Sequence, residues 1–191
     1  MAKAEYRSAL RSRKLIKEAL ADILQEKPLD KITVSEVVAR AGINRGTFYA
    51  HYTDIPDLIN HLLHETFFRL MEGAVLEVGH LPRVPGVMLE ILREILEEDM
   101  AFYRKVMASA NAALLQEQLV EFVIQYFLQH EEDYLMGSRE QYVMMIRFCA
   151  GGLSNLYRSW FDGQLEMSLD ELTRQAQQIL RSTLSALTPP Q

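Results

Sequence analysis

The chain has 191 residues and a formal net charge of −6, and 49% of its residues are hydrophobic. That length accommodates one or two domains with a buried core. Nine Gly and six Pro exclude a collagenous or low-complexity chain, and one cysteine excludes an internal disulfide framework. No apolar run is long enough for a membrane span or a signal peptide, so we expect a soluble, cytoplasmic protein without a membrane partner.

Charge is distributed unevenly along the sequence. Residues 1–50 contain 10 Lys and Arg against 6 Asp and Glu, a net of +4, whereas residues 51–191 contain 10 against 20, a net of −10. A basic segment ahead of an acidic body is typical of a protein in which only that segment meets a polyanion. The alternative is chance patchiness.

Hydrophobic periodicity predicts an all-α protein of about nine helices. The first helix carries apolar residues on one face and a basic stripe on the opposite face, and Pro28 ends it. The apolar residues are Ile16, Leu20, Ile23 and Leu24, and the basic stripe is Arg7, Arg11 and Lys14. The stripe either contacts phosphates or is a solvated helix face.

Two short helices follow. Thr33 and Glu36 have the spacing of a capping box, which predicts a helix as far as Arg40. Gly42 suits the left-handed turn that closes such a helix, and Asn44 is an N-cap for a second helix, Arg45 to His51. Two short helices joined by a turn that contains glycine predict a helix-turn-helix.

The remaining pattern predicts a helical body over residues 55–191, joined to the helix-turn-helix domain of residues 1–54 by a long fourth helix. Gly79, Pro82, Pro85 and Gly86 predict a loop after that helix. The predicted helices are Pro56–Val78, Val87–Glu98, Asp99–Ala108, Asn111–Tyr134, Glu140–Phe161 and a final helix that begins at Ser168.

The stretch from Ile32 to Tyr52 resembles the TetR family of bacterial transcriptional regulators. The family pattern is a threonine that opens the second helix, an Ala-Gly turn, and then Gly-Thr-hydrophobe-Tyr-x-His-aromatic. This chain has those elements at Thr33, at Ala41-Gly42 and at 46–52. The sequence Ala150-Gly151-Gly152, followed by Trp160 and an amphipathic last helix, resembles the C-terminal body of many members.

The resemblance implies a DNA-binding surface, and residue chemistry extends it. The positions that match family residues in contact with DNA are Thr33, Thr47, Tyr49 and His51. Arg45 is suited to a guanine edge or a phosphate, and Gly46 removes bulk where a helix enters the major groove. Tyr52, which completes the motif, is included in the predicted surface. Phe48 is assigned to the small core of the domain.

One segment departs from the family pattern. Many members carry a lysine at the start of the fourth helix, where this chain has Thr53-Asp54-Ile55-Pro56-Asp57. The departure removes one expected phosphate contact, which weakens binding and lowers its salt dependence.

A domain of this size reads few base pairs, so specific binding implies a two-fold dimer on a palindrome. The resemblance implies that the last two helices form the dimer interface; internal packing is the alternative. The predicted interface residues are Gly151, Gly152, Leu153, Leu156, Trp160, Leu172, Ala176, Ile179 and Leu180.

The resemblance also implies a pocket for a small apolar or aromatic effector in the body, which would tilt the fourth helix and change the spacing of the two DNA-binding domains. Ordinary core packing is the alternative for these side chains. The predicted lining residues are Met71, Met88, Phe102, Tyr103, Met107, Phe122, Tyr126, Met145, Phe148 and Tyr157.

Other constellations are weaker. His61, His64 and Glu65 have helical spacing, but too few further ligands lie nearby to predict a metal site, and Cys149 is interpreted as inert core. No phosphate loop or catalytic motif is present, so we predict neither an enzyme nor a cofactor.

The leading hypothesis is a ligand-responsive regulator, most simply a repressor, that binds a palindromic operator as a homodimer. The alternative is a protein-interaction coactivator, as in the family branch associated with dihydroxyacetone kinase, whose motif resembles 43–49 here.

Overall fold

The computed structural model describes residues 2–76, 84–134 and 137–187, and every regular element within these ranges is helical. The helices are α1 (Ala2–Glu26), α2 (Val34–Ala41), α3 (Arg45–Tyr49), α4 (Ile55–Leu76), α5 (Val84–Glu98), α6 (Met100–Met107), α7 (Ala112–Gln129), α8 (Glu131–Tyr134), α9 (Arg139–Phe161) and α10 (Leu169–Leu187). Since α8 is a four-residue continuation of α7 after a turn at His130, the predicted all-α fold of about nine helices is confirmed. No helix in the described part of the chain combines the length and apolarity that a bilayer span requires.

α1 buries the apolar face that its sequence predicts. Ile16, Leu20, Ile23 and Leu24 are buried, whereas the basic stripe on the opposite face is exposed. The helix ends at Glu26, two residues before Pro28, because proline restricts the residue before it to extended conformations. A single 3-10 turn, Leu29–Lys31, follows and was not predicted.

α2 and α3 pack on α1 and on each other, which completes a helix-turn-helix. Val37, Phe48 and Leu58 are fully buried at the centre of this unit. The assignment of Phe48 to the core therefore agrees with the structure.

α4 has Pro56 in its first turn and runs unbroken to Leu76. The predicted end of this helix at Val78 lies outside the described residues, as do Gly79 and Pro82. The prediction that Pro85 and Gly86 form part of a loop was wrong, because α5 begins at Val84. Proline is compatible with the first turn of a helix, where its missing N–H has no intrahelical acceptor.

Contacts divide the chain into two compact units. Unit 1 comprises Met1–Leu63 and Met100–Ala113, and unit 2 comprises His64–Asp99 and Leu114–Gln191. The division falls inside α4, and it groups α6 with the helix-turn-helix. The boundary that we predict after residue 54 differs from this packing division, and it stays a prediction.

Asn111, at the corner that follows α6, makes three side-chain hydrogen bonds within unit 1. It is buried, its Oδ1 accepts a hydrogen bond from the N–H of Leu29 at 2.8 Å, and its Nδ2 donates to the carbonyls of Lys27 at 3.2 Å and Leu24 at 3.4 Å. These carbonyls lie at the end of α1, where helix carbonyls lack intrahelical donors. Asn111 therefore caps the end of α1 from outside that helix.

Unit 2 is built around α5, α7, α9 and α10. α9 begins with a capping box between Ser138 and Gln141, directly after Gly137 at φ 73°. The buried hydroxyl of Tyr142 donates to the carbonyl of Phe127 at 2.8 Å, and the amide of Gln177 donates to the carbonyl of Gly86 at 2.9 Å. Met136, which the sequence predicts in the break before α9, lies outside the described residues.

Candidate DNA-binding surface

The N-terminus of α2 is closed by the predicted capping box. Thr33 Oγ1 accepts from the N–H of Glu36 at 3.4 Å, and Glu36 Oε2 accepts from the N–H of Thr33 at 3.0 Å and from its hydroxyl at 2.8 Å. Lys27 hydrogen bonds to the other oxygen of Glu36, and this contact, followed by those with Thr33, lowers the pKa of Glu36 to about 2. Thr33 is exposed, so its hydroxyl is accessible to a phosphate although it is already hydrogen-bonded.

The turn between α2 and α3 has the geometry that the sequence predicts. Gly42 adopts φ 64° and ψ 32°, a left-handed conformation that costs glycine little. Asn44 then caps α3, because its Oδ1 accepts from the N–H of Thr47 at 2.7 Å and from the Thr47 hydroxyl at 3.1 Å. α3 ends at Tyr49, two residues earlier than predicted.

The short helix α3 presents one apolar side chain to the core and the others outward. Phe48 is fully buried, whereas the neighbouring Tyr49 is 55% exposed. Arg45 and Gly46 are also exposed and Thr47 is half-buried. The exposed face therefore consists of a cation, a bare backbone position, a hydroxyl and a phenol, which are the groups that contact a DNA groove and its phosphates.

Two contacts constrain this face. The guanidinium of Arg45 donates to the hydroxyl of Ser35 on α2 at 2.7 Å, which ties the side chain to the neighbouring helix. A Cβ at Gly46 would lie 3.2 Å from Oδ1 of Asn44, tighter than ordinary van der Waals contact. Glycine at 46 therefore protects the N-cap as well as leaving room for a ligand surface.

His51 is held by α1. Its Nε2 lies 2.7 Å from the hydroxyl of Ser12, and its side chain is half-buried. Burial, together with the nearby positive charge of Arg13, lowers the pKa of His51 below its ordinary value. The contact with Ser12 was not predicted, since the two residues are 39 positions apart in the chain.

The assignment of Tyr52 to the DNA-binding face was wrong. Its side chain is 6% exposed, and its ring packs against Phe48 at 5.8 Å and against His61 at 5.4 Å between centroids. Of the two tyrosines of the motif, Tyr49 is therefore exposed and Tyr52 belongs to the core.

The acidic residues at the start of α4 have a local role. Asp54 accepts from the N–H of Asp57 at 2.7 Å, and Asp57 accepts from the N–H of Thr53 at 2.7 Å. The bond from Thr53 is the main cause that lowers the pKa of Asp57, and His61 lies 3.1 Å from the same carboxylate. The departure from the family pattern thus supplies caps to α4, where negative charge is favourable.

The predicted effector residues are distributed over both units. Phe102, Tyr103 and Met107 belong to unit 1, where Nζ of Lys17 lies 4.1 Å from the ring centroid of Phe102. The assignment of these three residues to an effector pocket stays a prediction. The other predicted effector residues belong to unit 2 and differ in burial. The buried ones are Met71, Met145 and Tyr157, the half-buried ones are Met88, Phe122 and Tyr126, and Phe148 is exposed.

The predicted dimer residues divide into an inward and an outward group. Leu172, Ala176 and Leu180 are buried in unit 2, where α10 packs on α5, so their assignment to an interface was wrong. Leu153, Leu156 and Trp160 are half-buried. Gly151, Gly152 and Ile179 are exposed, and a Cβ on either glycine would meet nothing within 4 Å.

Two further exposed residues of α9 were not assigned to the interface by the sequence analysis, which placed Phe148 in the effector pocket and did not select Met144. Met144 and Phe148 are each 71% exposed, and they lie four residues apart on α9, in line with Gly151 and Gly152. We call these four residues the α9 stripe. Their spacing of four, three and one residues was the available signal, because it marks a helix face distinct from the buried face of Tyr142, Met145 and Ile146.

The histidines of α4 contact other side chains of the chain. In the described ranges no group of three or more His, Cys, Asp or Glu side chains is arranged to hold a metal ion. His61 contacts Asp57, and His64 stacks on Phe122 at 4.6 Å between centroids. Cys149 is half-buried rather than core, and burial raises the pKa of its thiol.

Comparison with known proteins gives matches along most of the chain. Residues 16–62 match the family described as bacterial regulatory proteins, tetR family, and residues 86–182 match one described as transcriptional regulator C-terminal region. The chain is 28% identical over 98 residues to the HTH-type transcriptional regulator AcrR of Shigella flexneri, an alignment that covers 50% of this chain and 43% of that regulator.

Solved structures share the fold over nearly the whole chain. The dihydroxyacetone kinase operon activator DhaS is 22% identical, with a TM-score of 0.57 and coverage of 93% of this chain and 98% of that one. The fatty acid degradation regulator FadR of Bacillus halodurans is 16% identical, with a TM-score of 0.60 and coverage of 91% and 96%. At these identities the likeness concerns the fold.

Proposed function

We propose, from the premise that this chain belongs to the TetR family of bacterial regulatory proteins, that it binds a palindromic operator as a homodimer and represses transcription by occluding a promoter. The observation that carries the proposal is the burial pattern of α3. Phe48 is buried in the core, whereas Tyr49 is 55% exposed beside the exposed Arg45 and Gly46. A chain with this activity works in the cytoplasm, where operator DNA is found.

The exposed face of α3, together with His51 after the helix, supplies both kinds of contact that operator binding requires. Tyr49, Thr47 and His51 are suited to phosphates, which fix the register of the helix on the duplex. Arg45 is suited to a guanine edge, since its guanidinium matches the two acceptors of guanine. The hydrogen bond from Arg45 to Ser35 reduces the conformational freedom that the side chain loses on binding.

Homodimerisation is supported by the α9 stripe. Two large apolar side chains, each 71% exposed, lie beside two glycines over which there is open space. Glycine within a helix costs about 1 kcal/mol relative to alanine, so two in succession need a compensating role. Close approach of α9 from a second copy of this chain would bury Phe148 and Met144 and would use the space at the glycines.

Effector response is the part of the proposal that rests most on family membership. α4 is continuous from Ile55 to Leu76 and passes from unit 1 into unit 2, so a ligand that favours one dimer geometry has an unbroken element through which to act. The expected ligand is small and apolar or aromatic, since unit 2 contains several aromatic and methionine side chains near α4 and α7.

The test of operator binding is selection of duplexes from a randomised pool by the full chain, followed by titration at several salt concentrations. We expect a palindrome and an affinity whose logarithm falls linearly with the logarithm of salt concentration. A chain that enriches no duplex, but captures a protein partner through α3, would replace this function with the coactivator alternative.

The test of dimerisation compares two exposed phenylalanines of unit 2. Phe148→Asp should give a monomer in sedimentation at micromolar concentration, because it places a charge in an apolar interface. Phe68→Asp, at a side chain that is 62% exposed on α4, should leave the dimer intact. Equal behaviour of the two variants would remove the α9 stripe from the interface.

A further inference from the structure

A buried serine of α1 contacts the histidine that follows α3. The hydroxyl oxygen of Ser12 lies 2.7 Å from Nε2 of His51. The same oxygen lies 3.0 Å from the carbonyl oxygen of Ala9 and 3.1 Å from that of Ser8, one turn earlier in α1. Ser12 is buried and His51 is half-buried, so the contact has limited access to water.

The single hydroxyl proton of Ser12 has two alternative acceptors, the carbonyls of α1 and Nε2 of His51. A serine hydroxyl has one proton, and backbone carbonyls only accept hydrogen bonds. When Ser12 donates to the carbonyls of α1, as serine in a helix commonly does, Nε2 of His51 must carry a proton and donate to Ser12. Nδ1, which has no hydrogen bond to the part of the chain that is described, then has only a lone pair in the neutral ring.

We propose that Ser12 is a positioning residue for operator binding: it accepts a hydrogen bond from Nε2 of His51 and so leaves Nδ1 to bind a backbone phosphate, which requires the ring to take up a proton. The inference rests on the proposed function, since it assigns a role to His51 in the complex with DNA. Beyond that function, the inference specifies an interaction between the imidazolium of His51 and a phosphate. Through Ser12, α1 contributes to this interaction without touching DNA.

The surroundings of His51 favour the neutral ring in the free protein. Burial is the main cause that lowers its pKa, and the positive charge of Arg13, from α1, is the second. Tyr52, in the turn before α4, packs against the His51 ring with 5.9 Å between the ring centroids. Its side chain is uncharged at neutral pH. A phosphate opposite Nδ1 would reverse this balance, because opposite charge favours the protonated form.

Proton uptake makes operator affinity depend on pH. If the pKa of His51 is higher in the complex than in the free protein, the affinity is greatest at pH values below both pKa values and falls as pH rises between them. Uptake of one proton corresponds to a tenfold loss of affinity per pH unit in that interval. Above the pKa of the complex the affinity becomes independent of pH at this residue.

The experiment measures operator affinity by fluorescence anisotropy from pH 5.5 to 8.5 at constant salt, with a duplex recovered by selection. We compare the wild type with Ser12→Ala, His51→Asn and the control Ser8→Ala, which removes an exposed hydroxyl of α1 but keeps the carbonyl. Wild type and Ser8→Ala should lose about tenfold per pH unit within the interval. Ser12→Ala should lose this dependence, because the neutral ring is then free to carry its proton on Nδ1, and His51→Asn should also lose it.

Nitrogen chemical shifts of His51 in the free protein provide an independent reading. We expect the proton of the neutral ring on Nε2 in the wild type and a mixture of both forms in Ser12→Ala. The same pH dependence in wild type and Ser12→Ala, a dependence that persists in His51→Asn, or a neutral ring protonated on Nδ1 would each overturn the inference. Absence of salt-dependent binding to any duplex would instead overturn the proposed function, while the chemical shifts would still decide the role of Ser12.

Discussion

Replacement of Asn111 by alanine tests whether the corner after α6 holds unit 1 together. The side chain makes three hydrogen bonds, to the N–H of Leu29 and to the carbonyls of Lys27 and Leu24. The longest, at 3.4 Å, is weak, so the loss is dominated by the other two. Each bond contributes about 0.5–1.5 kcal/mol, and a buried donor left without a partner costs about 1–3 kcal/mol. We therefore expect Asn111→Ala to lower the free energy of unfolding by about 2–4 kcal/mol.

The assay is urea unfolding followed by circular dichroism at one fixed protein concentration, since a dimer has a concentration-dependent stability. Amide exchange at Leu29 gives a local reading, because this N–H loses its acceptor. The matched control is Asn60→Ala at an exposed position of α4, where the free energy of unfolding should change by less than about 0.5 kcal/mol. If the two variants have equal stability, or if exchange at Leu29 is unchanged, the hydrogen bonds of Asn111 do not stabilise unit 1.

Three further predictions concern single residues. Tyr49→Ala should abolish operator binding in an anisotropy titration while sedimentation still reports a dimer, and retention of the operator at moderate salt would refute the docking of α3. Glu36 has a pKa of about 2 in the folded chain against an ordinary 4.5, so its contribution to stability is complete above pH 4.5 and is lost as pH falls toward 2. Glu36→Gln should therefore lower the urea midpoint at pH 7 and weaken its decline below pH 5; an unchanged profile would contradict this. Gly152→Ala should stabilise the isolated helix by about 1 kcal/mol yet weaken the dimer, because the added methyl group occupies the space proposed for a second α9. A tighter dimer would show that no second helix packs against this position.

Local features of the fold were predictable because their hydrogen bonds join residues three or four apart. Thr33 with Glu36 and Asn44 with Thr47 are bonded as the sequence predicts, and Gly42 is left-handed as expected. In each case one polar side chain satisfies a backbone group at a helix terminus, and its neighbours in sequence suffice to identify it.

Features that depend on packing were not predictable in the same way. Amphipathic periodicity shows that Leu172, Ala176 and Leu180 lie on one face of α10, but it does not identify what covers that face. The structure shows α5 there, within the same unit. The converse holds for Phe148, whose residue type suggested a pocket and whose side chain is mostly exposed.

The position of α6 is a further case. Phe102 and Tyr103 suit an effector pocket by residue type, yet they lie near Lys17 of α1, and Lys105 of the same helix pairs with Asp22 of α1 at 2.6 Å. No sequence pattern connects residues more than 80 positions apart. A cation over a ring and an ion pair are contacts that only the folded chain reveals.

Almost all polar side chains of the proposed DNA-binding surface are hydrogen-bonded within the protein. These bonds determine how much each side chain is expected to contribute to operator affinity. The bonded pairs are Thr33 with Glu36, Arg45 with Ser35, Thr47 with Asn44 and His51 with Ser12. For the first three pairs a new contact with DNA replaces or shares an existing bond, and for His51 it requires the ring to take up a proton, so the net gain is smaller than that of a new bond, although less side-chain entropy is lost. The phenol of Tyr49 makes no hydrogen bond with the described part of the chain, and its ring is 55% exposed. A phosphate contact there replaces only water, so truncation of Tyr49 should weaken operator binding more than truncation of any single one of the bonded residues.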